Sequence, residues 1–186
     1  MLELAVLGLL HEAPLHGYEL RQRLKATLGS FRAFSYGSLY PSLRRMKDAG
    51  WIAEDEGDAD VVAGAPALTG RRGKVVYKLT AEGKERFTQL LAEAGPSSWE
   101  DETFGVHFAF FSKTDPDVRV RILEGRRSRL EERREGVRAG LARTRERLDS
   151  YTLQLQEHGL ESVDREVRWL TELIETERRQ HRTQSR

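Results

Sequence analysis

Seven basic side chains, Arg21, Arg23, Lys25, Arg32, Arg44, Arg45 and Lys47, stand between Leu20 and Lys47 without a carboxylate among them, although the whole chain of 186 residues carries a formal net charge of only +1. The chemistry open to such a run is the binding of a polyanion, because guanidinium groups pair with phosphate oxygens and a helix start offers unpaired N–H groups. Within the run, Ser35-Tyr36-Gly37-Ser38-Leu39-Tyr40-Pro41-Ser42-Leu43-Arg44-Arg45-Met46 passes from small and hydroxyl residues into a basic amphipathic helix. Hydroxyls and backbone N–H groups at its start would fix register on phosphate, while arginines further along reach guanine or phosphate. The candidate contacts are Arg21, Ser35, Tyr36, Ser38, Tyr40, Ser42, Arg44 and Arg45. A second basic group, Arg71, Arg72 and Lys74 beside two glycines, adds Arg72 and Lys74 as contacts to flanking backbone.

Other chemistries find no support. The chain contains no GxSxG elbow, phosphate-binding loop, dinucleotide fingerprint or HExxH pair, so no enzymatic activity is expected. With no cysteine there is no disulfide framework, thiolate metal site or thiol nucleophile, and the five histidines are too scattered for a metal motif; no cofactor is expected. The apolar start, Met1 to Leu10, lacks a basic region and a cleavage site, and no apolar run approaches the roughly twenty residues of a spanning helix. The expectation is a soluble cytoplasmic protein that does not act at a membrane. Because the charged third of the residues is nearly balanced in sign, any polyanion must be met by a local patch.

The elements that position these residues follow from periodicity. An all-round apolar helix over Leu2 to Leu10 should be buried, and Pro14 ends it. A second helix runs from His16 to about Leu28 with Tyr18, Leu20 and Leu24 inward, stopped by Gly29. A third runs from about Ser38 to Ala49, capped by Ser38; Leu39, Leu43 and Met46 face the core, leaving Ser42, Arg44, Arg45 and Lys47 outward. Tyr40 can turn its hydroxyl to phosphate or inward. Trp51 to Asp55 and Lys74 to Leu79 alternate as two strands joined by a long loop, and a fourth helix starts at Thr80. Three helices, a hairpin and a helix make a winged helix-turn-helix. The fold expected is mainly α, with a winged helix-turn-helix DNA-binding domain over residues 1–95 and an antiparallel helical dimerisation domain over 96–186.

In the second half, a long helix from Asp115 to about His158 carries a seven-spaced stripe of Leu123, Leu130 and Val137, then Leu141, Leu148 and Leu155. So narrow a stripe needs a partner along its length. A last helix after Gly159, with Val163, Val167, Leu170 and Ile174 on one face, can supply it, and the pair can associate with the same pair of a second subunit. Between the halves, Trp99, Phe104, Phe108, Phe110 and Phe111 crowd together. Read from the residues, they are packing between the halves.

Four segments in order, His16-Gly17-Tyr18-Glu19-Leu20, Gly37 to Met46, Gly50-Trp51-Ile52 and Tyr77-Lys78-Leu79-Thr80-Ala81-Glu82-Gly83, resemble the PadR family of bacterial transcriptional regulators. The longer C-terminal half resembles the family's larger subfamily. The resemblance implies a homodimeric winged-helix repressor on double-stranded DNA, dimerised through its C-terminal helices, with planar ligands bound near the dimer interface; on that ground Trp99, Phe104 and Phe108 are the alternative lining of a pocket for a small planar hydrophobic effector. Two features depart from the family pattern: a longer insert from Gly57 to Gly70, and Trp51 in place of a smaller aliphatic residue. The competing class is a protein-interaction adaptor built from a winged module and coiled-coil helices.

Overall fold

A computed structural model of the chain describes residues 1–29, 36–56 and 75–184. It contains two compact units, one of Met1–Glu93 with Asp101–Lys113, the other of Ala94–Glu100 with Thr114–Arg186. This division differs from the expected boundary at 95/96, because residues 101–113 return to the first unit.

In the first unit, α1 (Leu2–Glu12) has no polar face and is buried from Leu4 to Leu10. Around it lie α2 (Gly17–Leu28), α3 (Leu39–Asp48) and α4 (Ala81–Ala92). Among the described residues the sheet has three strands rather than the two expected. A two-residue strand, β1 (Leu15–His16), precedes α2 and pairs with β3 (Val75–Leu79), which pairs antiparallel with β2 (Ile52–Glu56) in the order β1-β3-β2. The register sets Leu15 against Tyr77 and Ile52 against Leu79. Helix α2 starts where the Glu19 carboxylate accepts the His16 N–H at 2.9 Å, and it buries Gly17, Leu20, Leu24 and Leu28. Tyr18, expected inward, stands 45% exposed with its hydroxyl accepting from Gln22 Nε2. It falls one residue outside the Gly17-Leu20-Leu24-Leu28 stripe, and the stripe decides.

Gly29 ends α2 in right-handed geometry, whereas Gly50 closes α3 at φ +76, a left-handed conformation that glycine adopts without steric cost. Thr80 then locks the hairpin base. Its Oγ1 accepts from the Gly83 N–H at 3.0 Å, capping α4, and lies 2.7 and 2.9 Å from the Gly50 and Trp51 carbonyls. Trp51 is half-buried against this core, with the Arg86 guanidinium 5.2 Å above its ring. The segment α6 (Phe104–Ala109) and the turn after it complete the unit: Phe110 meets Phe87 edge-on at 5.9 Å and fills the space beside Gly8.

The second unit pairs α7 (Pro116–Thr144) with α8 (Ser150–Gln184), preceded by the short α5 (Pro96–Trp99). The expected single helix to His158 is instead broken at 145–149. A 3-10 turn, Arg145–Arg147, gives way to extended Leu148, and Asp149 starts α8 by accepting from the Tyr151 and Thr152 N–H groups and the Thr152 hydroxyl. Those bonds, that of the Thr152 hydroxyl first, hold the Asp149 carboxyl below its usual range. Gly159, expected as the breaker, lies inside α8. A strong cap outcompetes an interior glycine whose cost is only about 1 kcal/mol.

Candidate nucleic-acid interface

Helix α3 sorts its residues cleanly. Leu39, Ser42, Leu43 and Met46 are buried; Tyr40, Pro41, Arg44, Arg45, Lys47 and Asp48 are exposed. Ser42, expected outward, is therefore a correction: it is 4% exposed. It stands three residues after Leu39 and four before Met46, the spacing that shares one helix face, so the helical wheel already placed it inside. Ser38 is exposed, in the single 3-10 turn Tyr36–Ser38, and its side chain makes no capping hydrogen bond to α3. The expected cap is absent because Ser38 has right-handed helical geometry, not the extended backbone of a capping residue.

Tyr40 is half exposed, yet its ring leans on the start of α2, where a Cβ on Gly17 would lie 3.5 Å from Tyr40 Cε1 and from Tyr77 Cε2. It thus touches both α2 and solvent. The Tyr77 phenol is held above its ordinary pKa, first by burial and then by the charges of Glu54 and Tyr40.

The charges around α3 are not equivalent. Lys47 donates to Glu54 on β2 at 2.5 Å, Lys78 to Asp55 at 2.8 Å, and Arg86 to Glu3 at 2.7 Å; Arg23 lies 3.9 Å from Glu12. Among the described residues neither Arg44 nor Arg45 has a carboxylate partner, and both are exposed. Arg21 is exposed on α2. The arrangement holds two uncompensated guanidinium groups on one helix flanked by Tyr40 and Ser38, which is the chemistry of an anion-binding face. Glu54 is the residue that reading along the chain missed; its partner Lys47 is seven positions away and the pair forms only once β2 folds back. Ser35, Arg72 and Lys74 lie outside the described residues, as does the insert 57–70; for Tyr36 only the backbone is described.

The residues expected to dimerise divide into two groups. Leu123, Leu130, Val167, Leu170 and Ile174 are buried within the chain's own α7–α8 pair, Val137, Leu141 and Leu148 are half-buried, and Leu155 is 68% exposed. Pairing is reinforced by Arg119–Glu177, Arg178–Glu124, Arg134 and Arg138 with Asp164, and Arg145–Glu157. Arg126, 7% exposed, reaches Glu166 Oε1 through Nε at 2.9 Å and the Trp99 carbonyl through Nη1 at 3.2 Å. The three residues considered for an effector pocket fall in different units. Phe104 and Phe108 are 5.7 Å apart in the first, with Phe111 5.0 Å beyond, whereas half-buried Trp99 rests on Gly125 in the second.

Residues 6–89 match the model of the Transcriptional regulator PadR-like family. The Negative transcriptional regulator PadR of Bacillus subtilis (strain 168) is 29% identical over 96 residues, 52% of this chain, which thus spans about half of that relative (48%). Two solved structures are also similar. Bacillus subtilis PadR in complex with operator DNA is 21% identical with a TM-score of 0.43, covering 95% of this chain and 98% of that one. The same protein in complex with p-coumaric acid is 20% identical with a TM-score of 0.42, at the same coverage. These relatives are regulators of transcription, not enzymes.

Proposed function

We propose, from the match of residues 6–89 to the Transcriptional regulator PadR-like family, that the chain is a member of that family and a cytoplasmic, sequence-specific DNA-binding repressor acting as a homodimer on a palindromic operator. The observation that carries the reading is the pair of arginines, Arg44 and Arg45, that lack a carboxylate partner among the described residues on the exposed side of α3, while Lys47, Lys78, Arg23 and Arg86 nearby are each matched to one. An uncompensated basic helix is held ready for an external anion, and α3 is the helix that a helix-turn-helix lays in the major groove. Repression rather than activation follows the name of the Bacillus relative. Two α3 helices on one dimer raise each other's effective concentration on a two-fold symmetric site. A small planar hydrophobic effector would release the DNA only by binding one arrangement of the dimer better than the other.

Fluorescence anisotropy on labelled duplexes from the DNA upstream of its own coding sequence tests this. Affinity for one such duplex should exceed that for scrambled DNA by a factor of about 10³ or more and fall steeply between about 50 and 200 mM salt, by roughly 10³–10⁵ for six to ten phosphate contacts. Binding that is absent, or insensitive to salt, overturns the reading in favour of a protein-interaction adaptor.

A further inference from the structure

Tyr40, Arg44 and Lys47 follow one another at spacings of four and three, so they form one row about 10 Å long on the exposed side of α3. The two cations of the row differ. Arg44 has no carboxylate partner among the described residues, whereas Lys47 donates to Glu54 Oε2 at 2.5 Å. The backbone holds this pair in place. Residues 49–51 link α3 to β2, and the Gly50 N–H donates to the Lys47 carbonyl and the Trp51 N–H to the Met46 carbonyl, each at 2.9 Å. The Thr80 N–H fixes the other side of the link by donating to the Trp51 carbonyl at 3.2 Å. Glu54 lies on the same face of β2 as buried Ile52, and the strand register sets it opposite buried Tyr77. Its carboxylate is therefore held beside the last turn of α3.

An exposed ion pair of this kind contributes little to folding, so its consequence lies in what the two groups no longer do. A lysine that neutralises a phosphate adds sequence-independent affinity, about 0.9 in the slope of log affinity against log salt. Matched to Glu54, Lys47 offers no net charge, and a phosphate at that end of the row would meet a carboxylate as well. Asp55 leaves the opposite face of the strand and holds Lys78 of β3 instead, at 2.8 Å, so Glu54 is the β2 carboxylate paired to α3. We propose that Glu54 is an affinity-limiting residue of the DNA-binding face: by holding Lys47 it withdraws one phosphate contact from α3 and weakens the hold on every duplex, whatever its sequence. Contacts to base edges are untouched, so an operator keeps its advantage over other DNA. This role rests on the DNA-binding reading and names the residue that sets the strength of that binding.

The test compares the full chain with Glu54→Gln, with Glu54→Gln and Lys47→Gln together, and with Glu85→Gln, an exposed carboxylate on α4 whose loss changes the net charge equally. Each is measured by fluorescence anisotropy on a scrambled duplex and on one from the DNA upstream of its own coding sequence. For each chain bound, Glu54→Gln should tighten both duplexes alike, roughly tenfold at about 50 mM salt and threefold at about 200 mM, as the salt slope steepens by about 0.9. Adding Lys47→Gln should return affinity and slope to those of the parent, and Glu85→Gln should give no comparable gain. Both side chains of the pair are exposed, so circular dichroism should stay that of the parent. An unchanged slope in Glu54→Gln overturns this role. So does a gain that survives Lys47→Gln, which is repulsion by the carboxylate itself, or one that Glu85→Gln matches, which is net charge. In each of those cases the parent still binds DNA and the repressor reading stands; a parent chain that binds neither duplex overturns both.

Discussion

The ring of Trp99 occupies the space that a side chain on Gly125 would need: a Cβ there would lie 2.4 Å from Trp99 Cδ2 and 2.5 Å from Cε3. Alanine is worth about 1 kcal/mol over glycine in a helix interior, so Gly125→Ala sets that gain against a clash with a rigid ring whose backbone carbonyl is held by Arg126. The clash should win by about 1–3 kcal/mol. At Gly136, where nothing lies within 4 Å, the same substitution should stabilise. Urea midpoints decide the signs, and a Trp99→Ala background should turn Gly125→Ala from loss to gain.

Replacing Arg44 and Arg45 together with alanine should leave the thermal midpoint unchanged, since both are exposed, while affinity for a defined operator falls by about 1–3 kcal/mol per contact. Ser42→Ala, at a buried position of the same helix, should leave DNA affinity alone. Ser42→Lys should instead unfold the domain at lower denaturant, as a buried unpaired charge does. Anisotropy and denaturation on the same three proteins separate the two faces of α3.

A chain ended at Lys113 should fold as a monomer, whereas one ended at Glu93 should be weaker than the fold alone suggests. The shorter chain loses Phe110, whose ring packs on Phe87 and beside Gly8; deleting such a ring costs about 3–5 kcal/mol. Light scattering and denaturation of the two lengths check this. Equal stability would mean that residues 101–113 add nothing to the first unit.

His107 is buried, its Nε2 has no hydrogen-bond partner among the described residues, and burial lowers its pKa to about 4. The unfolded chain takes up a proton near pH 6.5 that the native chain refuses. Stability is therefore full above about pH 6.5 and drains as pH falls toward 4, by up to about 3 kcal/mol. Comparing urea midpoints at pH 7 and pH 4.5 with those of His107→Gln isolates this share, because the carboxylates titrate equally in both. An identical acid loss in the variant would refute it.

Much of the winged unit was legible because its signals are local. The stripes Leu20-Leu24-Leu28 and Leu39-Leu43-Met46, the left-handed stop at Gly50 and the Thr80 cap each act within a few residues. What escaped depends on distant partners or on competition. Strand β1 is two residues long and exists only because β3 returns to pair with it. The turn at 145–149 has no glycine or proline; Asp149 and Thr152 supply it, and Gly159 ten residues on is a louder but weaker signal. At the candidate interface, Arg44 and Arg45 could be read along the chain, but the withdrawal of Lys47 by Glu54 could not.

The α7–α8 pair also sets how the molecule meets its solvent. From Val137 toward the turn its apolar residues are only partly covered, and Arg134, Arg138 and Arg145 reach across to Asp164 and Glu157. The winged unit instead rests on a buried apolar core running from Leu4 through Leu91. Concentrated sulfate strengthens apolar burial and screens exposed ion pairs. It will therefore tighten one part of the chain while loosening the far end of the other. Heating works in the opposite sense at that end, since the cost of stripping water from ions falls as temperature rises. Two melting transitions that draw apart with added salt are the signature of a protein whose halves are held by different forces.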